Sequence, residues 1–181
     1  MPLARKWQPC VPMEITPVLA DITSLEVDAI VNGANAALQG GGGVDGAIHR
    51  AAGPELARAG RVLAPCPTGE ARTTPAFRLG PPVRFVVHTV GPVWSEHGPE
   101  EADRLLASCY RTCLAEADRA GARSLAFPAI STGIYGFPPE RAAPLAVATL
   151  RTTPTEVERV VLAAFDEPTL RLYAAALERE R

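Results

Sequence analysis

The stretch Val27-Asp28-Ala29-Ile30-Val31-Asn32-Gly33-Ala34-Asn35 is followed, after four intervening residues, by Gly40-Gly41-Gly42-Gly43-Val44-Asp45-Gly46-Ala47-Ile48-His49-Arg50-Ala51-Ala52-Gly53-Pro54. Val27 to Val31 is a compact apolar run of the length of a buried strand, and Asn32 to Asn35 reads as a turn. Val44, Ala47, Ile48, Ala51 and Ala52 have helical spacing, and Gly53-Pro54 is a stop signal. A strand, a glycine loop and a helix in that order make one α/β unit, and the rest of the chain is read outward from it.

Towards the N-terminus, Glu14 to Ala20 reads as a strand, with Pro17 marking an edge or a bulge. The preceding residues 1–13 are Pro-rich and expected to be irregular. Towards the C-terminus, a short helix follows at Pro54 to Arg61, then strands at Glu70 to Phe77 and Arg84 to Val90. An amphipathic helix covers about residues 100–119 and a strand Arg123 to Phe127. Pro138 or Pro139 opens a helix ending near Thr152, as proline does in a first turn. A strand at Glu158 to Phe165 and a helix at Glu167 to Arg179 complete the chain. Strands alternating with helices predict a mixed or parallel sheet with helices on both faces. Ligands of such sheets gather at the carboxyl ends of the strands. Two loops rich in glycine and small polar residues leave strands there, Asn32 to Gly43 and Pro128 to Phe137, so a site is expected between them.

The chain has 181 residues and a mass of 19.1 kDa, which suits one domain with its own core. Apolar residues are 47% and charged residues 21%, so a disordered chain and a disulfide-built miniprotein are excluded. Lysine and arginine total 18 against 20 acidic residues, a net charge of −2. That balance gives no strong signal for nucleic acid. Apolar runs such as Val160 to Phe165 are too short to cross a membrane, and the N-terminus lacks the apolar run of a secretory signal. A cytoplasmic, monomeric protein is expected. Cys10, Cys66, Cys109 and Cys113 form no CxxC pair. Cys109 and Cys113 share a helical face, where two metal ligands are conceivable and buried core thiols are the plainer reading. There is no HExxH and no acidic calcium loop, so no metal is expected.

Four consecutive glycines before a helix expose backbone N–H groups and admit positive φ, which suits a phosphate; a linker inside so small a domain makes poor sense. Asp45 lies in the first helical turn, where an acid is also favoured by the helix dipole alone. His49 is four residues on, on the same face, either structural or orienting Asp45 or a water. Asn32 and Asn35 suit turn-making, and equally the recognition of sugar hydroxyls. Ser131-Thr132-Gly133-Ile134-Tyr135-Gly136-Phe137 offers hydroxyls, glycine amides and a following helix, a second place for a phosphate. Tyr135 and Phe137, flanked by glycines, are expected to cover a sugar or a base. Phe165 at a strand end can stack on a purine or serve as core. Asp21 is a turn residue that can also accept from an adenine amino group. His88, within a strand, and His97, in a loop, receive no role.

Several of these segments, in order from about Glu14 to Leu177, resemble the macrodomain family, and within it the MacroD-type ADP-ribose hydrolases. The matching stretches are Asp21-Ile22-Thr23, Asp28 to Asn35, Gly40 to Gly53, Cys66-Pro67-Thr68-Gly69, Val87 to Pro92 and Phe127 to Gly136. The resemblance implies a three-layer α/β/α sandwich with a mixed central sheet, a single macrodomain over residues 14–181, and a cleft for ADP-ribose. It implies that Asp21 bonds the adenine amino group, that Ile22 lines that pocket and that Phe165 packs near the adenine ring. Ser131, Thr132, Gly133, Ile134 and Tyr135 would hold the diphosphate. Gly41, Gly42, Gly43 and Val44 would form the other wall around the phosphates and distal ribose, which Phe137 helps to place. Asn35 would bind the distal ribose, and Asp45 would be the catalytic acid. The family reads Asn-Ala-Ala-Asn where this chain has Asn32-Gly33-Ala34-Asn35, and the glycine is expected to loosen the Asn35 amide.

Two functions follow. One is a hydrolase that removes ADP-ribose from acidic side chains of proteins and deacetylates O-acetyl-ADP-ribose, with no metal and no dissociable cofactor. The other is a module that only reads ADP-ribose. An RNA-related regulator is a third, weaker reading.

Overall fold

The structure, a computed structural model, describes residues 12–181. Residues 1–11, which include Cys10 and most of the segment expected to be irregular, lie outside it. Among the described residues the strands are β1 (Glu14–Leu19), β2 (Ala29–Gly33), β3 (Ala71–Pro75), β4 (Phe85–Thr89), β5 (Ser124–Phe127) and β6 (Arg159–Ala164). They form one sheet in the order β1-β6-β5-β2-β4-β3. Every neighbouring pair is parallel except β3 with β4, which makes the sheet mixed. Pro17 sits in β1, an edge strand, where a missing N–H costs no central ladder bond.

The helices are α1 (Gly43–Ala52), α2 (Glu55–Leu63), α3 (Pro99–Ala120), α4 (Pro139–Thr152) and α5 (Glu167–Arg179). Proline stands in the first turn of α3, α4 and α5, and Gly121 closes α3 in the left-handed conformation. Side chains alternate across the sheet, and the core divides accordingly. Ala29, Val31, Val87, Leu125, Phe127, Val160 and Leu162 pack under α3, α4 and α5. Ile30, Val86, Ala126, Val161 and Ala163 face the other way, onto Ile48 and Ala52 of α1 and Leu56 of α2. The result is the three-layer α/β/α sandwich that the family resemblance implied, with the mixed sheet and two helical faces expected from the alternation of strands and helices. Cys109 and Cys113 are fully buried in the first core with free thiols, the plainer of their two readings.

One boundary differs in a way that matters. Asn32 and Gly33 belong to β2, paired with His88 and Thr89 of β4, rather than to a turn. Asn32 is fully buried on the face shared with Ile30. The sequence reading ended the strand at the first polar residue, whereas the strand continues because partners inside the fold satisfy that amide.

Candidate active site

Parallel strands β1, β6, β5 and β2 are neighbours, so the segments leaving their carboxyl ends line up along one end of the sheet. Asp21 and Ile22 follow β1, Phe165 follows β6, Ser131 to Phe137 follow β5, and Asn35 to Val44 follow β2 and run into α1. From β1 to β2 is three strand spacings, about 14 Å, the reach of an elongated ligand rather than of a single sugar.

At the β2 end stands Asp45, in the first turn of α1 and only 6% exposed. Asn32 Nδ2 donates to its Oδ1 at 2.8 Å. His49 Nε2 lies 3.4 Å from the same oxygen but forms no well-aligned bond there. Burial pushes the Asp45 carboxyl above its usual range, against the opposing pull of Asn32 and His49. A Cβ on Gly41 would lie 3.2 Å from Asp45 Oδ2 and 3.8 Å from Asn35 Nδ2, so the glycine loop, Asp45 and Asn35 converge on one point. Asn35 Nδ2 donates to Gly40 O at 3.3 Å, and its Oδ1 is buried without a partner. Gly40 and Gly43 take positive φ, which explains glycine at those two positions; Gly41 and Gly42 do not need it for that reason. The amides of the first turn of α1 have no carbonyl within the helix to meet.

The β5 segment is a tight loop. Phe137 N–H donates to Ser131 O, Gly136 N–H to Gly133 O, and Trp94 N–H to Tyr135 O. Gly133, Ile134 and Tyr135 leave their own amides without a partner among the described residues. Ser131 is held at φ 65° with its Oγ buried and unpartnered against Gly91. Burial and the Asp45 charge push the Tyr135 phenol upward, which puts that ring within the field of Asp45. Phe137 is a correction to the expectation that it covers a sugar. It is fully buried, edge-on to Trp94 with ring centroids 4.9 Å apart, because Gly136 turns the chain inward. It supports the loop from below, and Tyr135 is the aromatic left at the surface.

At the β1 and β6 end, Asp21 Oδ1 accepts from Thr23 N at 2.9 Å and from Thr23 Oγ1 at 2.7 Å, the turn role of an aspartate. Both bonds fall on one oxygen. Ile22 is buried in the second core and packs beneath this corner instead of lining open surface. Phe165 and Ile134 are 91% and 93% exposed, two apolar side chains on neighbouring strand ends with nothing over them. Thr132 is partly buried in the β5 loop, and Val44 lies partly buried beside the second core.

Sequence reasoning missed the support beneath Asp45. Asn32, His88 and Thr74 form a buried polar run in the sheet, with His88 Nδ1 3.2 Å from Asn32 Nδ2 and His88 Nε2 3.0 Å from Thr74 Oγ1. The signal was there in strand periodicity: Asn32 and His88 occupy the positions next after Ile30 and Val86 on one buried face. Among the described residues no three His, Cys, Asp or Glu side chains converge as metal ligands, and no helix is long and apolar enough to cross a membrane. An open groove of about 530 Å³ between Glu26, Pro81, Pro82 and Arg159 lies at the opposite end of the strands from Asp45.

The family model described as Macro domain matches residues 31–146, which hold the end of β2 from Val31, the glycine loop, Asp45 and the β5 loop. The chain belongs to the macro domain family. A macro domain-containing protein of Ralstonia nicotianae is 55% identical over 162 residues, covering 90% of this chain and 93% of that protein. A Salmonella newport protein named O-acetyl-ADP-ribose deacetylase is 50% identical over 170 residues, covering 90% of this chain and 93% of its own. Among solved structures, a variant of the Oceanobacillus iheyensis macrodomain with ADPR superposes with a TM-score of 0.83 at 40% identity, over 91% of each chain. The Trypanosoma brucei macrodomain in complex with ADP-ribose gives 0.82 at 39% identity, over 91% of this chain and 69% of that one. This macro domain therefore carries its convergent polar residues at the carboxyl end of the sheet.

Proposed function

We propose that this macro domain, residues 14–181 as one unit, binds ADP-ribose and hydrolyses acyl esters of it. Its substrates are O-acetyl-ADP-ribose and proteins ADP-ribosylated on acidic side chains, and it works as a cytoplasmic monomer without a metal or cofactor. The observation that carries the hydrolase reading is Asp45. A buried carboxylate, bonded by Asn32 and raised by burial, faces the same point as Asn35 and the glycine loop. A pure reader of ADP-ribose has no use for so costly a group.

The ligand lies along the row of strand ends. Asp21 and Phe165 take the adenine at the β1 and β6 end, one by a hydrogen bond and the other by stacking. The unpartnered amides of Gly133, Ile134 and Tyr135 face the diphosphate from one side. Gly41, Gly42, Gly43 and Val44 face it from the other, at the α1 N-terminus. Asn35 and Tyr135 hold the distal ribose over Asp45. In the ester reaction a water attacks the carbonyl carbon and its proton passes to Asp45, which returns that proton to the departing ribose oxygen as the ester C–O bond breaks and the carboxylic acid is released. The raised carboxyl pKa makes Asp45 a better base than an ordinary aspartate.

The test is turnover of O-acetyl-ADP-ribose and of a glutamate-ADP-ribosylated protein by metal-free protein, with Asp45→Ala alongside and ADP-ribose binding measured by calorimetry. Asp45→Ala is expected to keep binding and to lose turnover by at least about 10²-fold. Tight binding by the parent without turnover would make the protein a reader and sink the hydrolase.

A further inference from the structure

We infer that His88 on β4 and Thr74 on β3, one and two strands beyond β2, are positioning residues that fix the Asp45 carboxylate through the amide of Asn32. The inference rests on the reading of Asp45 as the working group.

The chain of contacts is Thr74 Oγ1 to His88 Nε2 at 3.0 Å, His88 Nδ1 to Asn32 Nδ2 at 3.2 Å, and Asn32 Nδ2 to Asp45 Oδ1 at 2.8 Å. All four side chains are buried, on β3, β4, β2 and α1 in turn. An ionised carboxylate only accepts, so Asp45 dictates that the NH₂ end of Asn32 points its way. The same NH₂ group has a second hydrogen, and His88 Nδ1 is beside it. That nitrogen must then carry a lone pair, so the His88 proton sits on Nε2 and is donated to Thr74 Oγ1. Run in reverse, the logic shows what the two residues do. With a proton on Nδ1, His88 would repel the NH₂ group and favour the turned amide. Asn32 would then present its oxygen to Asp45 Oδ1, and the bond that holds the carboxylate would become a repulsion.

Two further observations agree. Asn32 Oδ1 is buried without a partner, a cost the fold bears while keeping the NH₂ end on Asp45 and His88. Burial pushes the His88 imidazole down to about 3, so the ring stays neutral and keeps one acceptor nitrogen, which the Asn32 NH₂ group beside Nδ1 assigns to that atom.

The experiment uses the full chain and four variants, Thr74→Val, Thr74→Ser, Asn32→Ala and the double Asn32→Ala/Thr74→Val, with long-range ¹H–¹⁵N spectra of the histidines. The expected parent spectrum shows His88 protonated at Nε2. Thr74→Val removes the acceptor for that proton and is expected to lower kcat about tenfold while ADP-ribose affinity changes by less than about twofold. Thr74→Ser restores kcat. In the Asn32→Ala background Thr74→Val has no further effect, because the path to Asp45 is already cut. A His88 proton on Nδ1 in the parent, or an equal loss from Thr74→Val in both backgrounds, overturns the inference. If the parent shows no turnover, the hydrolase reading fails by itself, and the Asp45 carboxyl pKa read by ¹³C NMR replaces kcat. It is expected to rise in Thr74→Val, and an unchanged value overturns the positioning role. If Thr74→Val does not fold, the tautomer in the parent decides.

Discussion

Lowering the pH from 7 to 5 is expected to strip this protein of about 2 kcal/mol of stability through His88 alone. The imidazole has an ordinary value of 6.5 and is held near 3 in the fold by burial, with the His49 charge adding to the effect. A folded value below the unfolded one means that the folded state prefers the neutral ring. The stability so gained is present above about pH 6.5 and is lost as the pH falls towards 3. At pH 5 the unfolded ring is almost fully charged while the buried ring is almost wholly neutral, and at pH 7 both are mostly neutral. Integrated between those two conditions, the linkage amounts to about 1.4 pH units, or about 2 kcal/mol at about 1.4 kcal/mol per unit. With a urea m-value of about 2 kcal/mol/M, the midpoint should fall by about 1 M. The assay is urea unfolding at several pH values for the parent and for His88→Asn, which keeps an acceptor towards Asn32 and does not titrate. Asp45 acts with the opposite sign: its folded value is raised, so its contribution is largest at low pH and is lost as the pH rises through that value. It is common to both proteins and cancels in the difference of slopes. Equal pH slopes for parent and variant between pH 5 and 7 would refute the claim that His88 is held neutral by the fold.

Two glycines near the site separate packing from backbone freedom. Gly46→Ala would place a Cβ 2.5 Å from the Gly41 carbonyl oxygen; the glycine loop must move off α1, and a loss of about 1–3 kcal/mol in thermal unfolding with weaker ADP-ribose binding is expected. An unchanged melting temperature and affinity would show that the loop yields freely. Gly33→Ala is the contrasting case: its Cβ would meet only Val44 Cγ1, at 3.7 Å, and no positive φ is required. It is expected to gain about 0.4–1 kcal/mol from a less flexible unfolded chain and to leave binding intact, as calorimetry would check.

The fold was legible because its signals are local. Apolar runs bounded by glycine and proline marked the strands, and the stripe from Ala102 to Ala117 marked α3. The row of strand ends followed from parallel order, which alternating strands and helices imply. What failed were judgements about single side chains. Phe137 read as a ligand cover because glycines and polar residues flank it, yet burial is decided by where Gly136 turns the chain, a property of three dimensions. Asn32 read as a turn residue because propensity assigns asparagine to turns; in the fold its partners come from positions 13 and 56 residues away. The same distance hid Thr74. Gly33 was expected to loosen Asn35, but strand pairing with Thr89 holds it extended and removes the freedom glycine has in isolation.

The buried polar run also explains why Asp45 stands where it does. A carboxylate in the first turn of α1 is favoured by the helix dipole wherever it points, and an exposed one would gain that stabilisation without leaving water. Asp45 instead is buried, and burial outweighs both Asn32 and His49 in setting its pKa. The fold thus holds the group in its less comfortable state when charged. Helix capping alone cannot account for that choice, because the exposed arrangement serves it better. Nor can core packing, because an alanine or leucine would fill the space without a charge to desolvate. A group held against its own preference, oriented by an amide whose other end is left unpaired, is the pattern expected of a reactive residue and supports the role proposed for Asp45.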